Sequence, residues 1–406
     1  MKEIAVLGGG YAGLKTVKDL QKFLKPGQAH ITLVNKNDYH YEATDLHEVA
    51  AGNQPVEKIT YKITDVVKPE YTTFVQDEVE GIDPKKQTVS LKNHDDLHYD
   101  YCVFALGFVS ETFGIKGAEE NALPMANVDQ AVAIHQHLVD KMKDYRQTKN
   151  PDDLKIIICG AGFTGIELSG ALAEARPKLA EIAGVNTDQI SITTIDGATK
   201  ILGMFKPSLA EYGRNLVEKQ GVKIITGAMI NSIEPGKVLY PEGKGANAKM
   251  VELPAGTIIW TTGVSGSPVV AKSGLPGRRG RVAVTSQLAD PDYANLYIIG
   301  DVAAVFAPGA KRPYPTTAQI SLRMATFVAN QIADQLNGKE PEKTFVYKSL
   351  GTVASVGNTH AFGQSGKLTL KGYFASVTKK MIADESLYKV GGMKELMADG
   401  RFDIYH

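Results

Sequence analysis

The hydrophobic pattern of the first forty residues is that of a strand, a helix and a second strand. Residues 4–8 and 31–34 are mainly apolar runs, which predict strands buried on both faces, and helical spacing predicts a helix over 12–24 between them. The order returns later as a strand over 155–160, a helix that opens near Phe163 and a strand over 190–195. The pattern therefore predicts two βαβ units and an α/β fold.

Further apolar runs predict the elements around these units. Strands are expected over 99–107 and 258–263, where the chain passes from one domain to another. Residues 236–247 are rich in turn-forming residues and predict a hairpin loop. Alternating apolar residues from Phe345 onward predict a separate small sheet, and the segment after Lys371 predicts a helical tail.

These elements divide the chain into three parts. Residues 1–115 and 264–330 are predicted to form one dinucleotide-binding domain, into which residues 116–263 insert a second. Residues 331–406 are predicted to form a smaller α+β region. The expected architecture is therefore two Rossmann-like domains followed by a C-terminal region.

A glycine motif closes the first strand of each unit. The first phosphate loop is Gly-Gly-Gly-Tyr-Ala-Gly at residues 8–13, and the second is Gly-Ala-Gly-Phe-Thr-Gly at residues 160–165. In this motif the first glycine permits a tight turn, the second lets the backbone approach a pyrophosphate, and the third lets helix and strand pack closely. The following helix N-terminus offers unpaired N–H groups to the anion. Each unit is therefore predicted to bind a dinucleotide, the alternative being a glycine-rich turn in an unrelated α/β fold.

The residue after the second strand of each unit distinguishes the two predicted sites. In the first unit this position holds neutral Asn35, followed by Lys36, where an acidic residue usually binds the adenosine ribose. In the second unit it holds Asp196, which can accept a hydrogen bond from the ribose 2′-hydroxyl of NADH and would repel the 2′-phosphate of NADPH. The second site is therefore predicted to select NADH.

Composition excludes several classes of protein. Lys and Arg total 45, as do Asp and Glu, so the charge balance gives no reason to expect nucleic-acid binding. Two cysteines, Cys102 and Cys159, exclude a disulfide framework, a zinc cluster and a Cys-x-x-Cys relay, and they fit a reducing, cytoplasmic setting. Apolar runs fall short of the roughly 20 residues that span a bilayer, and the first strand begins too early for a signal peptide.

A carboxylate follows a predicted strand over 296–299. Asp301 comes directly after Gly300, at the point where such a strand ends, and in a doubly wound domain it could face the ribityl and phosphate region of a flavin. Asp is also among the preferred residues at a helix N-cap. Both roles remain open from the sequence, and neither excludes the other.

Taken together, these motifs resemble the flavoproteins with two dinucleotide-binding domains, and among them the type II NADH dehydrogenases. These are single-subunit NADH:quinone oxidoreductases of bacterial membranes that pump no protons. The resemblance covers the whole chain and is carried most specifically by residues 35–44, 106–114, 160–168 and 315–319. Cysteine is absent from the helix after the first phosphate loop and from residues 39–50, unlike in dithiol reductases and sulfide:quinone relatives.

The resemblance implies which residues form the sites. It places FAD near Gly8, Gly9, Gly10, Tyr11, Ala12, Gly13, Asn35, Lys36, Thr44, Val79, Ala105, Gly107, Asp301 and Ala318. It places NADH near Gly160, Gly162, Phe163, Thr164, Gly165, Asp196 and Gly263. It implies that the helix beginning at Ala318 points its positive end at the flavin and that a quinone binds near Gln319. The candidate residues acting on the quinone are Gln319, Glu167 and, at a position where the family has Gln, Arg323.

The chain departs from the family pattern at two positions. Arg323 replaces the second Gln of Ala-Gln-x-Ala-x-Gln, so the site could favour an oxygen-rich or anionic acceptor or stabilise a semiquinone anion; alternatively, Arg323 turns to solvent or pairs with an acid. Ala171 replaces the final Glu of Glu-x-x-Gly-Glu, while Glu167 remains one turn earlier. We expect flavin reduction to be retained, with altered nucleotide affinity or quinone kinetics.

The C-terminal region is expected to contact a membrane. Lys343, Lys348, Lys367, Lys371, Lys379 and Lys380 lie in a stretch without acidic residues. Tyr373, Phe374, Val377 and Met381 recur at helical spacing beside them. This is typical of a helix in an anionic lipid interface, although such a stripe can equally pack on its own domain. The acidic tail after Glu395 suggests a weak anchor, or one shared with the partner in a homodimer.

The sequence therefore predicts a peripheral enzyme on the cytoplasmic face of the cell membrane. It is expected to pass hydride from NADH to FAD and two electrons to a membrane quinone, with menaquinone expected from the resemblance. Two alternatives remain: an NADH diaphorase with a metal chelate or soluble carrier as acceptor, and a flavin-binding sensor that has lost turnover.

Overall fold

Two parallel sheets form the frame of the protein, whose computed structural model describes residues 1–243, 248–340 and 344–403. In spatial order the first sheet consists of Leu296–Ile298, Tyr101–Phe104, Lys2–Leu7, Ala29–Asn35 and Thr72–Gln76. The second consists of Leu123–Pro124, Thr257–Trp260, Lys155–Cys159, Ser191–Asp196 and Val222–Thr226. In each sheet the strand before a phosphate loop is central, so both loops lie at a carboxyl edge, where open α/β sheets bind ligands.

Helices pack on these sheets and contribute to two main hydrophobic cores. The longer helices are Tyr11–Phe23, Val128–Thr148, Phe163–Ala183, Pro207–Lys219, Ala318–Leu336 and Gly372–Val390. The shorter α-helices are Leu46–Ala51, Ile63–Val66, Ala118–Asn121, Val269–Lys272 and Met393–Asp399. Single 3₁₀ turns are Ala43–Asp45, Val56–Lys58, Pro151–Leu154, Thr187–Gln189 and Gly300–Val302.

Several small antiparallel and mixed sheets accompany the two parallel sheets. The two strands that pass between them, Phe108–Ser110 and Val264–Gly266, pair with each other. The remaining sheets are Tyr39–Tyr41 with Thr60–Lys62; Val79–Asp83 with Thr88–Leu91 and Leu97–His98; Ser232–Glu234 with Lys237–Glu242 and Lys249–Pro254; and Gly277–Arg278 with Arg281–Ala283 and Ala303–Ala304.

The two βαβ units have the predicted order, with strand and helix ends shifted by a few residues. Two predictions about these elements need correction. The strand expected over 99–107 is shorter because residues 105–107 turn away to contact the first phosphate loop. Lys237–Glu242 is a hairpin strand rather than loop, and residues 244–247 of that prediction lie outside the described residues. The domain boundary predicted at 330 falls inside the helix Ala318–Leu336, and the boundaries themselves remain a prediction.

The C-terminal region is a three-stranded sheet followed by two helices. The strands are Thr352–Val356, His360–Ser365 and Leu368–Lys371. The small sheet is thus confirmed, but it does not begin at Phe345, which instead packs against Phe327 with ring centroids 5.5 Å apart. The predicted helical tail is confirmed, and it packs on both dinucleotide-type units through the contacts described below.

Candidate active site

The glycines of the first phosphate loop are needed for different steric reasons. Gly8 has φ +104°, and a side chain there would clash with the carbonyl oxygen of Ala105. A side chain at Gly13 would clash with the carbonyl oxygen of Gly8. A methyl group added at Gly10 would meet no atom of the described residues within 4 Å. The open space at Gly10 is therefore what the approach of a pyrophosphate requires.

The second phosphate loop repeats this arrangement. Gly160 has φ +113°, and a side chain at Gly165 would clash with the carbonyl oxygen of Gly160. Gly162 is exposed, and space is open around its added methyl group in the described part of the chain. The repetition shows that both loops combine close packing at their ends with an open middle, which fits a dinucleotide in each.

Asn35 and Asp196 each bind the phosphate loop of their own unit. The Asn35 Oδ1 accepts a hydrogen bond of 2.8 Å from the Gly9 N–H. The Asp196 carboxylate accepts hydrogen bonds of 2.7 Å from the N–H groups of Ala161 and Ala198. The residue predicted to contact a ribose therefore also holds the loop in place. Only Asp196 adds a negative charge, which is the feature that disfavours a 2′-phosphate.

Asp301 does not cap a helix, so the N-cap alternative is wrong. It lies within the single turn Gly300–Val302, whose N-cap position is occupied by Ile299. Burial raises the pKa of Asp301 to about 6, against the opposing effect of the Arg281 charge. The helix Ala318–Leu336 packs close by, since the Met324 sulfur lies 3.3 Å from the Gly300 N–H. A largely buried carboxyl beside the first sheet fits a role in binding a polar ligand.

The other residues predicted to lie near FAD fall into three groups. The Ala12 methyl group lies against Gly300, and the Ala105 carbonyl group lies against Gly8. Gly107 has φ +67° and accepts a hydrogen bond from the Ser267 N–H. The Tyr11 hydroxyl donates to buried Glu42 over 2.8 Å and lies 3.4 Å from the Thr44 hydroxyl. Lys36 is exposed at the strand end, and Val79 is buried in the core. The structure brings Thr44 and Ala318 together on one cavity wall.

The residues predicted near NADH lie around the second phosphate loop. Thr164 is exposed, and the Phe163 ring lies 5.7 Å from that of Phe205. Gly263 is covered by Phe113, whose ring a side chain at Gly263 would strike. The sequence reasoning missed this cover. Phe113 and Gly114 both adopt positive φ, which is uncommon for a residue other than glycine and is known only from the structure.

A cavity of about 620 Å³ lies beside the helix Ala318–Leu336. This large cavity is lined by Lys15, Thr44, Ala318, Gln319, Leu322, Arg323, Thr326, Phe327, Asn330, Thr344, Phe345, Val346, Leu350, Lys379, Ile382, Ala383, Glu385, Ser386 and Lys389. Its volume is typical of small-molecule sites, and its wall is mainly apolar with a few polar groups. Gln319 and Arg323 lie on it as predicted, whereas Glu167 does not.

Gln319 is fixed by the segment that precedes the small sheet. Its Oε1 accepts hydrogen bonds from the Tyr347 hydroxyl, over 2.5 Å, and from the Leu350 N–H, over 3.0 Å. The helix itself begins one residue earlier, with the Thr317 side chain accepting from the Ile320 N–H. The amide oxygen of Gln319 is thus occupied, which leaves its NH₂ group to donate into the cavity.

Glu167 reaches the cavity only through Lys379. Its carboxylate lies 2.9 Å from the Lys379 Nζ and accepts two hydrogen bonds of 3.1 Å from Ser355. Burial by itself would raise the pKa of Glu167, but Lys379 and His47 outweigh it and the pKa is lowered. Burial would likewise lower the pKa of Lys379, yet Glu167 and Asp45 raise it. Both groups are therefore charged at neutral pH, and Lys379 is the site residue that sequence reasoning assigned to the membrane instead.

Ala171 occupies a position that is closed to a charged side chain. It is buried in the second hydrophobic core, and its carbonyl oxygen accepts a hydrogen bond of 3.0 Å from the Asn53 side chain. A glutamate there would place a carboxylate in an apolar region. Glu167, one turn earlier on the same helix, is the acidic residue of the family motif that this chain retains.

The cationic surface predicted on the C-terminal helix is wrong for its two central lysines. Lys379 pairs with Glu167, and Lys380 is buried and lies 3.3 Å from a carboxylate oxygen of Asp403. They are covered because the tail folds back over the helix, where Arg401 ties Asp403 to Glu48 of the first unit. Lys343 lies outside the described residues. The helix exposes large apolar side chains instead, most of all Phe374 and Met381, at 80% and 63%.

The described residues lack two features, a membrane-spanning helix and a metal-binding cluster. They contain no helix that is both long enough and apolar enough to cross a membrane. They also contain no cluster of His, Cys, Asp and Glu arranged for a metal ion. Cys102 and Cys159 are both buried, one in each parallel sheet, so they form no pair.

Comparison with known proteins gives concordant matches. Residues 2–325 match the family model described as pyridine nucleotide-disulphide oxidoreductase. A type II NADH:quinone oxidoreductase from Staphylococcus aureus (strain MSSA476) is 38% identical over 404 residues, which is 99% of each chain. NDH2 from Plasmodium falciparum, solved in complex with NADH, has a TM-score of 0.87 at 17% identity and covers 100% of this chain and 98% of its own. The sulfide:quinone oxidoreductase of Aquifex aeolicus has a TM-score of 0.78 at 22% identity, over 100% and 96%. These two structures share the fold.

Proposed function

The chain belongs to the family of type II NADH:quinone oxidoreductases, and we propose that it oxidises NADH through bound FAD and reduces a quinone in the large cavity. The observation that carries this proposal is the joint arrangement of two phosphate loops and an apolar cavity beside the helix Ala318–Leu336. When bound, FAD would supply the redox chemistry, which is hydride acceptance followed by transfer of two electrons. The protein binds, orients and supplies protons.

The residues near each nucleotide have separate tasks in this proposal. The first phosphate loop, Asn35 and Asp301 hold FAD, and the N-terminus of the helix at Ala318 directs its positive end toward the reacting region. The second phosphate loop and Asp196 hold NADH and reject NADPH. Gln319 donates to a quinone oxygen from a side chain that Tyr347 and Leu350 hold in place.

Quinone reduction also consumes two protons, and Lys379 is placed to hold one at the cavity wall. It lines the cavity and is paired with Glu167 behind the wall. Glu167 in turn is joined to His47 through the Ser355 hydroxyl, over 3.1 Å and 3.5 Å. Lys379, Glu167, Ser355 and His47 thus form a continuous chain of polar contacts that starts at the cavity wall, and such a chain can carry a proton.

Anaerobic titration of the purified flavoprotein tests the proposal. NADH should bleach the bound flavin, NADPH should do so much more slowly, and menaquinone or ubiquinone analogues should then reoxidise it. Reoxidation by soluble acceptors but by neither quinone would support a diaphorase, and bleaching without steady turnover would support a sensor. The ratio of the two quinone rates tests the expectation that menaquinone is the natural acceptor.

We also propose that the enzyme lies on the cytoplasmic face of the membrane, with the cavity opening toward it. Val346, Leu350 and Ile382 line the cavity and are exposed apolar residues, and Phe374 and Met381 extend the patch. A quinone with a lipid tail could then enter directly from the bilayer. A homodimer that shares this surface remains a prediction, which the mass of the particle in solution tests.

Substitution, rather than truncation of the helix, tests membrane contact, because the helix packs on the rest of the protein through Lys379 and Lys380. Phe374→Ser/Met381→Ser should reduce cosedimentation with vesicles. The matched control is Met204→Ser/Met250→Ser, which changes two exposed methionines of the NADH-binding unit. Equal binding by both double variants would show that the patch is not the anchor.

A further inference from the structure

The charges on the wall of the large cavity do not cancel. Its three lysines each have a carboxylate partner, in the pairs Lys15–Asp19 at 2.5 Å, Lys379–Glu167 at 2.9 Å and Lys389–Glu385 at 2.5 Å. Arg323 is the fourth cation on this wall, and no carboxylate of the described residues forms an ion pair with it. Within the described ranges, the wall therefore carries one positive charge without a carboxylate partner, on an arginine whose side chain is exposed.

Arg323 lies in the middle of the helix face that forms the wall. The residues of this helix that line the cavity are Ala318, Gln319, Leu322, Arg323, Thr326, Phe327 and Asn330, which is one continuous stripe. Arg323 follows Gln319 by one turn, or about 6 Å along the axis. A ligand that meets the Gln319 amide at one end is thus within reach of the Arg323 guanidinium.

The surroundings of Arg323 select what it can bind. Leu322, Phe327 and Phe345 present apolar surface to a flat ring. A guanidinium offers a planar fork of donors that matches a carboxylate or sulfonate in a bidentate pair, and it accepts no hydrogen bonds. A quinone with only alkyl substituents would offer no anionic partner, so the guanidinium donors would stay hydrogen-bonded to water.

We propose that Arg323 makes the cavity selective for quinones that carry an acidic substituent on the ring, such as a carboxylated naphthoquinone. This inference rests on the proposed function, which it narrows to a class of acceptor. The substituent binds and is not transformed: the quinone takes up two electrons and two protons, and the carboxylate and the guanidinium remain ionised throughout. Arg323 is thus a specificity-determining residue.

Steady-state NADH oxidation with two naphthoquinones tests the inference. The probes are menadione, which is neutral, and 1,4-naphthoquinone-2-carboxylate. The quantity to compare is the ratio of kcat/KM for the acidic over the neutral quinone, because intrinsic differences in reactivity cancel between variants. Arg323→Gln should lower this ratio by about threefold or more, as expected for loss of a partly exposed charge pair. Arg323→Lys should retain a larger share of the ratio than Arg323→Gln.

Lys348→Gln is the matched control, since Lys348 is an exposed cation in the segment beside the cavity but does not line it. It should leave the ratio near that of the wild type. An equal fall in Lys348→Gln and Arg323→Gln would overturn the inference in favour of general attraction of anions.

An unchanged ratio in Arg323→Gln would also overturn the inference. If that variant bound less well to phosphatidylglycerol vesicles with its ratio unchanged, Arg323 would contact lipid headgroups instead. Failure of the wild type to reduce either quinone, after NADH has bleached its flavin, would instead refute the proposed function.

Discussion

Asp301 is a carboxyl whose charge the fold disfavours. Its pKa is raised to about 6 by burial, so the folded protein binds its proton more tightly than the unfolded chain does. The resulting loss of stability is absent below about pH 4, grows as pH rises to about 6, and is complete above that. We propose that Asp301 is present, despite this loss of stability, because it binds FAD.

We therefore expect Asp301→Asn to stabilise the flavin-free protein at pH 7.5 by about 1 to 3 kcal/mol, and to have little effect near pH 4. Urea unfolding at both pH values measures this difference. Asp95→Asn, at an exposed position, is the control and should show no such pH dependence. A destabilised Asp301→Asn variant at pH 7.5 would contradict the assignment.

Asp196 is the residue that separates the two dinucleotide sites by charge. In Asp196→Asn the side-chain oxygen can still accept from the Ala161 N–H, while the repulsion of a 2′-phosphate is lost. We expect the ratio of kcat/KM for NADPH over NADH to rise about tenfold. Flavin reduction with each nucleotide measures it, and Asp188→Asn, at an exposed position of the same unit, should leave the ratio unchanged.

At the scale of elements, each phosphate loop contains one glycine that the fold requires and another that leaves room for the ligand. Gly13 is required by the backbone of Gly8, whereas the methyl group of an alanine at position 10 would point into open space. The two substitutions therefore act through different causes, although they lie three residues apart in one motif.

We expect Gly10→Ala to leave the melting temperature of the flavin-free protein nearly unchanged and to weaken FAD retention strongly, because the methyl group occupies the path of the pyrophosphate. Gly13→Ala should lower the melting temperature itself, because strand and helix must separate. Thermal melts with and without added FAD distinguish the two. Similar melts for both flavin-free variants would refute this division.

At the scale of the whole molecule, a buried ionic cluster joins the three parts of the chain. Glu167 comes from the second unit and Lys379 from the C-terminal helix, and Arg401 links the tail to Glu48 of the first unit. Removing one member of a buried pair leaves an uncompensated charge, at a cost of about 3 to 5 kcal/mol.

Lys379→Met should therefore destabilise the protein by about 3 kcal/mol, because Glu167 loses its partner while it stays buried. Lys379→Met/Glu167→Leu should recover much of this loss. Chemical denaturation of the two variants measures the difference. A double variant that is less stable than the single one would show that the pair is not the cause.

The sequence by itself determined the two βαβ units, their glycine loops and the opposite character of Asn35 and Asp196, because these depend on residues close together in the chain. Tertiary structure alone decided the role of residues whose partners are distant. Lys379 and Lys380 belong to a basic stretch in the sequence, yet Glu167 and Asp403 neutralise them in the interior. In the sequence Arg323 is one basic residue among many, and only the structure shows that the three lysines on the same cavity wall are paired with carboxylates. Helical periodicity predicts on which face of a helix a side chain lies. Which charged group lies opposite that side chain depends on segments that are distant in the sequence and meet only in the folded protein.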